Sequence, residues 1–366
     1  MLERGDIDVL ARLTTHNMER DVYESTTGSG FAFTVPYLYN GLSYGGDPAF
    51  VGCADSRDVT TGNCTELKMC VLDFTTHVPI MTSIFPGSVV LTPSIEQMYQ
   101  RLIDGSCNII AGEQFEISLY EVRNQGYDKP YVLSADVLSK EPIAMVTRET
   151  DPRWSDFVNW VLVGLMHAEG RNARMSNPAL LGDTALFGTD LRLMFVDAVT
   201  AVGNYGEMYE RNLERIVPRS TINTLNPGDQ PLIYSFPYGN SLSEGNFITP
   251  GGTIDTIVQR GRLRCGINVQ PGFARINPAT QEWSGFDVDY CRAIAAALFN
   301  GVLNVDFIPI EATGRFPALD SGDVDVLCHV TTATAQRDVY LPQFGHGFAF
   351  TQTTFYDGLA FGGRPP

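Results

Sequence analysis

The sequence repeats itself once, at a distance of 317 residues. Gly5-Asp6-Ile7-Asp8-Val9-Leu10 returns as Gly322-Asp323-Val324-Asp325-Val326-Leu327, and Arg20-Asp21-Val22-Tyr23 as Arg337-Asp338-Val339-Tyr340. Phe31-Ala32-Phe33-Thr34 returns as Phe348-Ala349-Phe350-Thr351, and Gly45-Gly46 as Gly362-Gly363. Between residues 5–46 and 322–363, 22 of 42 positions are identical, with no gap. Solenoid repeats run to roughly 20–50 residues, so this period is far too long for one and has the length of a whole domain. The chain therefore reads as one unit of a tandem array, cut inside the unit, with the same segment at each end. The opening Met1-Leu2-Glu3-Arg4-Gly5-Asp6 accordingly reads like the middle of a domain.

At 366 residues the chain is too long for one ordinary core and suits two lobes. Its hydrophobic fraction of 44% and charged fraction of 18% are those of a globular protein. A net charge of −17 argues against nucleic acid as a partner, because phosphate binding needs clustered Lys and Arg. No apolar run reaches the roughly 18 residues of a membrane helix, and residues 1–25 lack a signal-peptide pattern.

The seven cysteines suggest three pairs. Cys53 and Cys64 flank a short polar loop. Cys70 and Cys107 each sit in an apolar, strand-like run, and Cys265 and Cys291 lie on a strand and a helix; Cys328 is left over. Oxidised pairs imply a periplasmic or extracellular setting, whereas seven buried thiols would carry no such implication. No CxxC and no His pair with ligand spacing occurs, so neither a metal nor another cofactor is expected. Asn63-Cys64-Thr65 is a glycosylation sequon, relevant only in a eukaryotic secretory setting.

Strand and helix signals alternate, which argues for α/β lobes with mainly parallel sheets. Strands are expected at 262–268, 305–310 and 323–327, with a helix over 287–299 and a helical turn at 316–319. Further strands are expected at 68–72, 107–110 and 143–147, helices at 94–103 and 114–122, and a long helix opening at Asp151-Pro152. Residues 217–252, rich in Pro, Gly, Asn and Ser, read as a linker.

Several of these stretches resemble the type II periplasmic amino-acid-binding proteins, in particular the broad-specificity and acidic amino-acid group. Cys265-Gly266-Ile267-Asn268, Pro271-Gly272-Phe273 and the run Trp283 to Cys291 look like that family's mature N-terminus. Ser321 to Leu327, Thr331-Thr332 and Arg337-Asp338 look like its next signature. Ser139-Lys140-Glu141-Pro142 and Gly203 to Glu207 look like its C-terminal third. The resemblance implies a two-lobed α/β fold, circularly permuted here, since the family's order would be 253–363 followed by 47–215. Residues 1–39 would be a lobe 1 segment duplicated at 318–356, residues 40–147 lobe 2, and residues 148–216 the C-terminal part of lobe 1. Residues 217–252 would be the linker, and 253–366 the N-terminal part of lobe 1. One of the duplicated segments is expected to be displaced, to pack differently or to swap into a neighbour.

The implied function is binding of a free amino acid between lobes, for transport, sensing or scavenging. The partners would be an ABC transporter permease or neighbouring repeat units. Two alternatives stand beside it: a structural repeat that has lost its ligand, and a dehydratase-like enzyme on the same fold. Against the enzyme, the five histidines are scattered and no Gly-x-Ser-x-Gly elbow occurs.

An amino acid is a zwitterion. Its carboxylate suits the planar fork of an arginine and its ammonium suits a carboxylate, and both must be partnered once water leaves. The resemblance assigns the carboxylate to Arg337 with Thr332, or equally to Arg20 with Thr15. Thr75 and Thr76 match a Gly-Thr-Thr turn that serves the same carboxylate, but Phe74 stands where the family has glycine. Asp73 would point away or meet the ammonium. Glu113, where the family has Asp, is the expected ammonium partner. Phe273 is placed beside the ligand's aliphatic part, and Val330 and His329 lie beside the carboxylate loop, where backbone groups could bind the ammonium.

Overall fold

Alternating burial lays out the first sheet. Met69 and Val71 enter one apolar core while Cys70 enters the other, and Ile109 and Ala111 part from Ile110 in the same way. A strand buried on both faces needs helices above and below, which is what the intervening segments supply. The computed structural model describes residues 1–22, 29–178, 186–187, 189–219, 223–225, 251–270, 272–351 and 353–354. The chain divides into two units, Met1–Ser243 and Glu244–Pro366.

Unit 1 holds nine strands among its described residues: β1 (Leu10–Thr15), β2 (Phe31–Phe33), β3 (Leu38–Asn40), β4 (Leu42–Gly46), β5 (Met69–Leu72), β6 (Val89–Thr92), β7 (Ile109–Glu113), β8 (Val132–Leu133) and β9 (Glu141–Arg148). Its helices are α1 (Met18–Val22), α2 (Pro48–Asp55), α3 (His77–Ile84), α4 (Ile95–Asp104), α5 (Leu119–Asn124), α6 (Pro152–Gly170), α7 (Met194–Val202) and α8 (Tyr205–Asn212). Five strands form one sheet in the order β6-β5-β7-β4-β8, with β5 parallel to β6 and β7, and β4 antiparallel to β7 and β8. The other sheet is built on β9, against which β1, β2 and β3 each lie antiparallel. The expectation of mainly parallel sheets thus fails for this second sheet. Three short strands line up along one eight-residue strand, and antiparallel pairing needs no helical crossover. A core of Ile143, Leu162, Leu165, Met166, Val199 and Tyr205 joins β9 to α6, α7 and α8.

The backbone passes between the two sheets at Gly41 and again through residues 134–140. A Cβ on Gly41 would lie 2.2 Å from Val137 Cγ1, so the crossings pack too tightly for a side chain. Asn223, inside the expected linker, belongs to this unit: it accepts from Tyr39 N at 2.6 Å and donates to Tyr39 O at 2.7 Å. The expected linker residues 220–222 and 226–250 lie outside the described residues.

Unit 2 contains α9 (Thr253–Arg260), β10 (Leu263–Ile267), β11 (Arg275–Ile276), β12 (Trp283–Ser284), α10 (Phe286–Leu298), β13 (Val305–Pro309), α11 (Arg315–Asp320), β14 (Val326–Cys328) and α12 (Ala335–Val339). Its three-stranded sheet, β13-β10-β14, is parallel throughout, as its βαβ sequence requires. Val288 and Cys291 of α10 pack on Cys265 and Ile267 of β10.

Helix starts follow their caps. Ser94 accepts from Gln97 N, Asp151 from Trp154 N, and Asn204 forms a reciprocal capping box with Glu207. The helix expected over 114–122 is instead a turn followed by α5. Glu113 O accepts from the N–H groups of Glu116 and Ile117, and Ser118 caps the helix by accepting from Glu121 N. The strand expected at 107–110 runs over 109–113, and the one expected at 323–327 is only Val326–Cys328.

Disulfides join Cys53 to Cys64, Cys70 to Cys107 and Cys265 to Cys291, and Cys328 is a free thiol. Among the described residues no helix is long and apolar enough to cross a membrane.

The two copies of the repeated segment fold alike locally, each within its own unit. Arg20 Nη1 donates to Thr15 O at 2.9 Å, and Arg337 Nη1 donates to Thr332 O at 2.7 Å. A Cβ on Gly30 would meet Asp21 O at 2.1 Å, and one on the corresponding Gly347 would meet Asp338 O at 1.6 Å. The first copy lays its strand β1 on β9; the second lays its strand β14 on β10.

Candidate functional site

Parallel strands deliver their carboxyl ends to one edge of a sheet, the usual place for a ligand in α/β folds. In unit 1, β5 and β7 run parallel and end at Leu72 and Glu113. The edge therefore carries the turn Asp73 to Thr76, the first residue of α3, His77, and the last residue of β7, Glu113. His77 and Glu113 are each only 4% exposed, and His77 Nε2 stands 4.0 Å from Glu113 Oε1. Glu113 Oε2 and His77 Nε2 are buried without a hydrogen-bond partner.

Burial pushes the Glu113 carboxyl up to about 8, and the neighbouring carboxylates of Glu116 and Glu141 push it the same way against the opposing pull of Arg20. Burial also takes His77 down to about 4; Glu141 opposes that shift and Arg20 reinforces it. Arg20 therefore acts electrostatically on both Glu113 and His77. Its own position comes from α1, where Asn17 Oδ1 accepts from Arg20 N, and from the bond to Thr15 O at the end of β1.

Arg20, Thr15, Thr76 and Glu113 are thus brought together in unit 1. The two threonine hydroxyls of the turn are already donating. Thr75 Oγ1 donates to Leu72 O at 2.7 Å, and Thr76 Oγ1 donates to Glu141 Oε2 at 3.5 Å. Asp73 Oδ1 accepts from Phe74 N at 2.8 Å, so that carboxylate is spent on its own turn. Phe74 adopts φ of 58° and is 94% exposed, which keeps the left-handed turn that a glycine would make without strain.

Arg337, Thr332, Val330 and Phe273 lie in unit 2. Val330 has φ of 49°, strained for a β-branched residue, and its N–H is bound by the Asp287 carboxylate. His329 is buried and its Nε2 lies 2.5 Å from Ile310 O. Phe273 stands edge-on to Phe286, with ring centroids 6.2 Å apart, beside a cavity of about 470 Å³ lined by Gln270, Gly272, Arg275 and Ser284. A larger cavity in unit 1, about 580 Å³, follows the sheet crossing past Asn40, Gly41, Gln114 and Ser139 and does not include Glu113 or Arg20.

Sequence reasoning missed His77, Glu116 and Glu141. His77 follows Thr76 directly. Glu141 lies in a stretch already noted for its resemblance, and a carboxylate 2% exposed at the start of a buried strand marks it as a polar anchor. It accepts from Ser139 Oγ at 2.6 Å. No sequence signal singled out Glu116, which reaches the cluster only because the chain turns after β7.

Residues 263–355 match bacterial extracellular solute-binding proteins, family 3. The chain is 42% identical over 121 residues to the amino-acid ABC transporter-binding protein YhdW of Escherichia coli, covering 33% of this chain and 34% of that one. It is 40% identical over 121 residues to the general L-amino acid-binding periplasmic protein AapJ of Rhizobium johnstonii, with the same coverage. The chain thus spans about a third of the length of the curated relatives it matches. Among solved structures it is similar to an ABC transporter periplasmic binding protein from Brucella ovis with glutathione bound. That similarity has 27% identity and a TM-score of 0.47, and covers 61% of this chain and 72% of that one.

Proposed function

We propose that the chain binds a free amino acid as a solute-binding module, delivering it to a transporter or retaining it for sensing or scavenging. The observation that carries this reading is that in unit 1 a guanidinium, Arg20, lies within electrostatic reach of a buried carboxyl, Glu113, at the carboxyl end of a parallel strand pair. Arg20 would take the ligand's carboxylate as a bidentate pair, and Glu113 its ammonium. In unit 2, Arg337 held to Thr332 would play the part of Arg20, with Phe273 against the ligand's aliphatic carbons and the Val330 backbone carbonyl toward its ammonium. Thr75, Thr76 and Asp73 would shape the turn rather than touch the ligand with their side chains. The matched relatives are periplasmic or transporter-associated, and the three disulfides are consistent with a compartment outside the cytoplasm.

The same proposal extends to the domain order. Each copy of the repeated segment makes its own strand and its own arginine-to-threonine bond, which favours successive domains of an array over a single permuted domain with one copy displaced. The partners of the whole protein would then be a transporter permease and neighbouring units of the array. One observation favours the dehydratase-like alternative: His77 and Glu113 stand together with their protonation ranges driven apart, as acid–base pairs are.

Calorimetric titration with the twenty amino acids tests the binding reading. Arg20→Met should abolish binding in unit 1 and Arg337→Met in unit 2, and the double variant should abolish it altogether, with the circular dichroism spectrum unchanged. If all three bind like the parent, the carboxylate assignment is wrong. Loss of ligand over hours, followed by NMR, would establish the enzyme instead.

A further inference from the structure

The charges around Glu113 do not balance. Three carboxyl groups gather at the end of β7: Glu113 itself, Glu116 and Glu141, the last two each acting on the first. Glu116 Oε2 accepts from Glu113 N at 3.3 Å, so the second carboxyl is fixed directly beside the first. Glu141 is held by the hydroxyls of Ser139 and Thr76. Among the described residues, the cation that acts on Glu113 is Arg20. His77 is the other basic group, and burial keeps it neutral near pH 7.

Burial raises Glu116 as well as Glu113, so protons offset part of this carboxylate surplus; a zwitterion with a neutral side chain brings one charge of each sign and leaves the surplus unchanged. An acidic side chain enlarges it. Burying an uncompensated carboxylate costs several kcal/mol unless the group takes up a proton. Glu113 Oε2 and His77 Nε2, both buried without a partner, mark the place where polar atoms of an occupant are still wanted. We infer that the unit 1 site selects an amino acid with a second cationic group, an amine or guanidinium on its side chain, received by Glu116 while Glu113 takes the α-ammonium. The inference rests on the reading of unit 1 as an amino-acid site. Because the raised Glu113 carboxyl is largely protonated at neutral pH, the cationic ligand should expel a proton as it binds.

The test is titration calorimetry of the full chain with L-arginine, L-lysine, L-glutamine and L-glutamate at pH 7, in two buffers of different ionisation enthalpy. Arginine or lysine should bind at least about tenfold more tightly than glutamine, a difference of about 1.4 kcal/mol. Glutamate should bind more weakly still, and the buffer dependence should report proton release with the cationic ligands. Glu116→Gln should shrink the arginine-to-glutamine ratio by about tenfold. If glutamine or glutamate binds as tightly as arginine, the charge-selection inference falls while the amino-acid site stands. If none of the four binds at millimolar concentration, both fall.

Discussion

At Phe74 a large side chain sits at φ of 58°, fully in solvent, on the turn that leads into the site. An L-residue in this region carries about 1–2 kcal/mol of strain, and glycine removes it while adding about 0.5–1 kcal/mol of chain entropy to be lost on folding. Phe74→Gly should therefore be neutral or up to about 1 kcal/mol more stable in urea denaturation, and Phe74→Val less stable by about 1–2 kcal/mol. Equal tolerance of both would show that the turn relaxes out of the left-handed region. Glu113 supplies the pH signature. A carboxyl raised from 4.5 to about 8 by folding favours the folded state fully below pH 4.5, and that contribution is lost as pH climbs through about 8. Burial of neutral His77 acts in the opposite sense, losing stability as pH falls from 6.5 towards about 4. The melting temperature of Glu113→Gln relative to the parent should thus rise steadily from pH 5 to pH 8, reaching the equivalent of about 2–4 kcal/mol. A flat difference would mean that Glu113 is solvated. The resemblance singled out Arg20 and Glu113, and the structure brings the two into electrostatic reach of one another. No sequence signal marked His77 or Glu116, which meet Glu113 only through burial at the ends of β5 and β7.

Among the elements, the repeated segment is the informative one because it is folded twice. Gly30 and Gly347 let one backbone lie on another where no Cβ fits, immediately beside the carbonyls of Asp21 and Asp338. Those aspartates follow Arg20 and Arg337, so the glycine fixes the short helix that carries the arginine. Gly347→Ala should push α12 away from the chain at Phe348, costing about 1–3 kcal/mol. Hydrogen exchange should show protection lost over residues 335–350 and retained in β7 and β9, and unchanged protection would refute the close approach. Periodicity located β5, β10, α4, α10 and the start of α6 within a residue or two. It failed at 114–122, where apolar residues suggested a helix while the Glu113 carbonyl accepted from the N–H groups of Glu116 and Ile117 and Ser118 began the helix late. It failed also on the orientation of β1, β2 and β3, because strand direction is decided by which partner lies nearest and not by the pattern within the strand.

For the whole molecule, the cysteines divide the labour between the units. Two disulfides close loops in unit 1, with sequence separations of 11 and 37, and one closes a loop of 26 in unit 2. Cross-links of this span restrict the unfolded chain and contribute about 2–4 kcal/mol each, so reduction should lower the melting temperature of the folded chain. The sequence suggested these partners because each cysteine sits in or beside an element that faces its mate. What it could not suggest is that the sulfur of Cys328 lies within 4.8 Å of those of Cys265 and Cys291. Burial pushes the Cys328 thiol up to about 12, so it should resist alkylation in the native protein at pH 8. Under denaturing, non-reducing, mildly acidic conditions, where exchange is slow, thiol titration should find one group per chain, and peptide mapping should assign it to Cys328. Seven thiols would remove the argument for an oxidising compartment. One thiol spread over Cys265, Cys291 and Cys328 would show that the three sulfurs exchange partners before the chain unfolds.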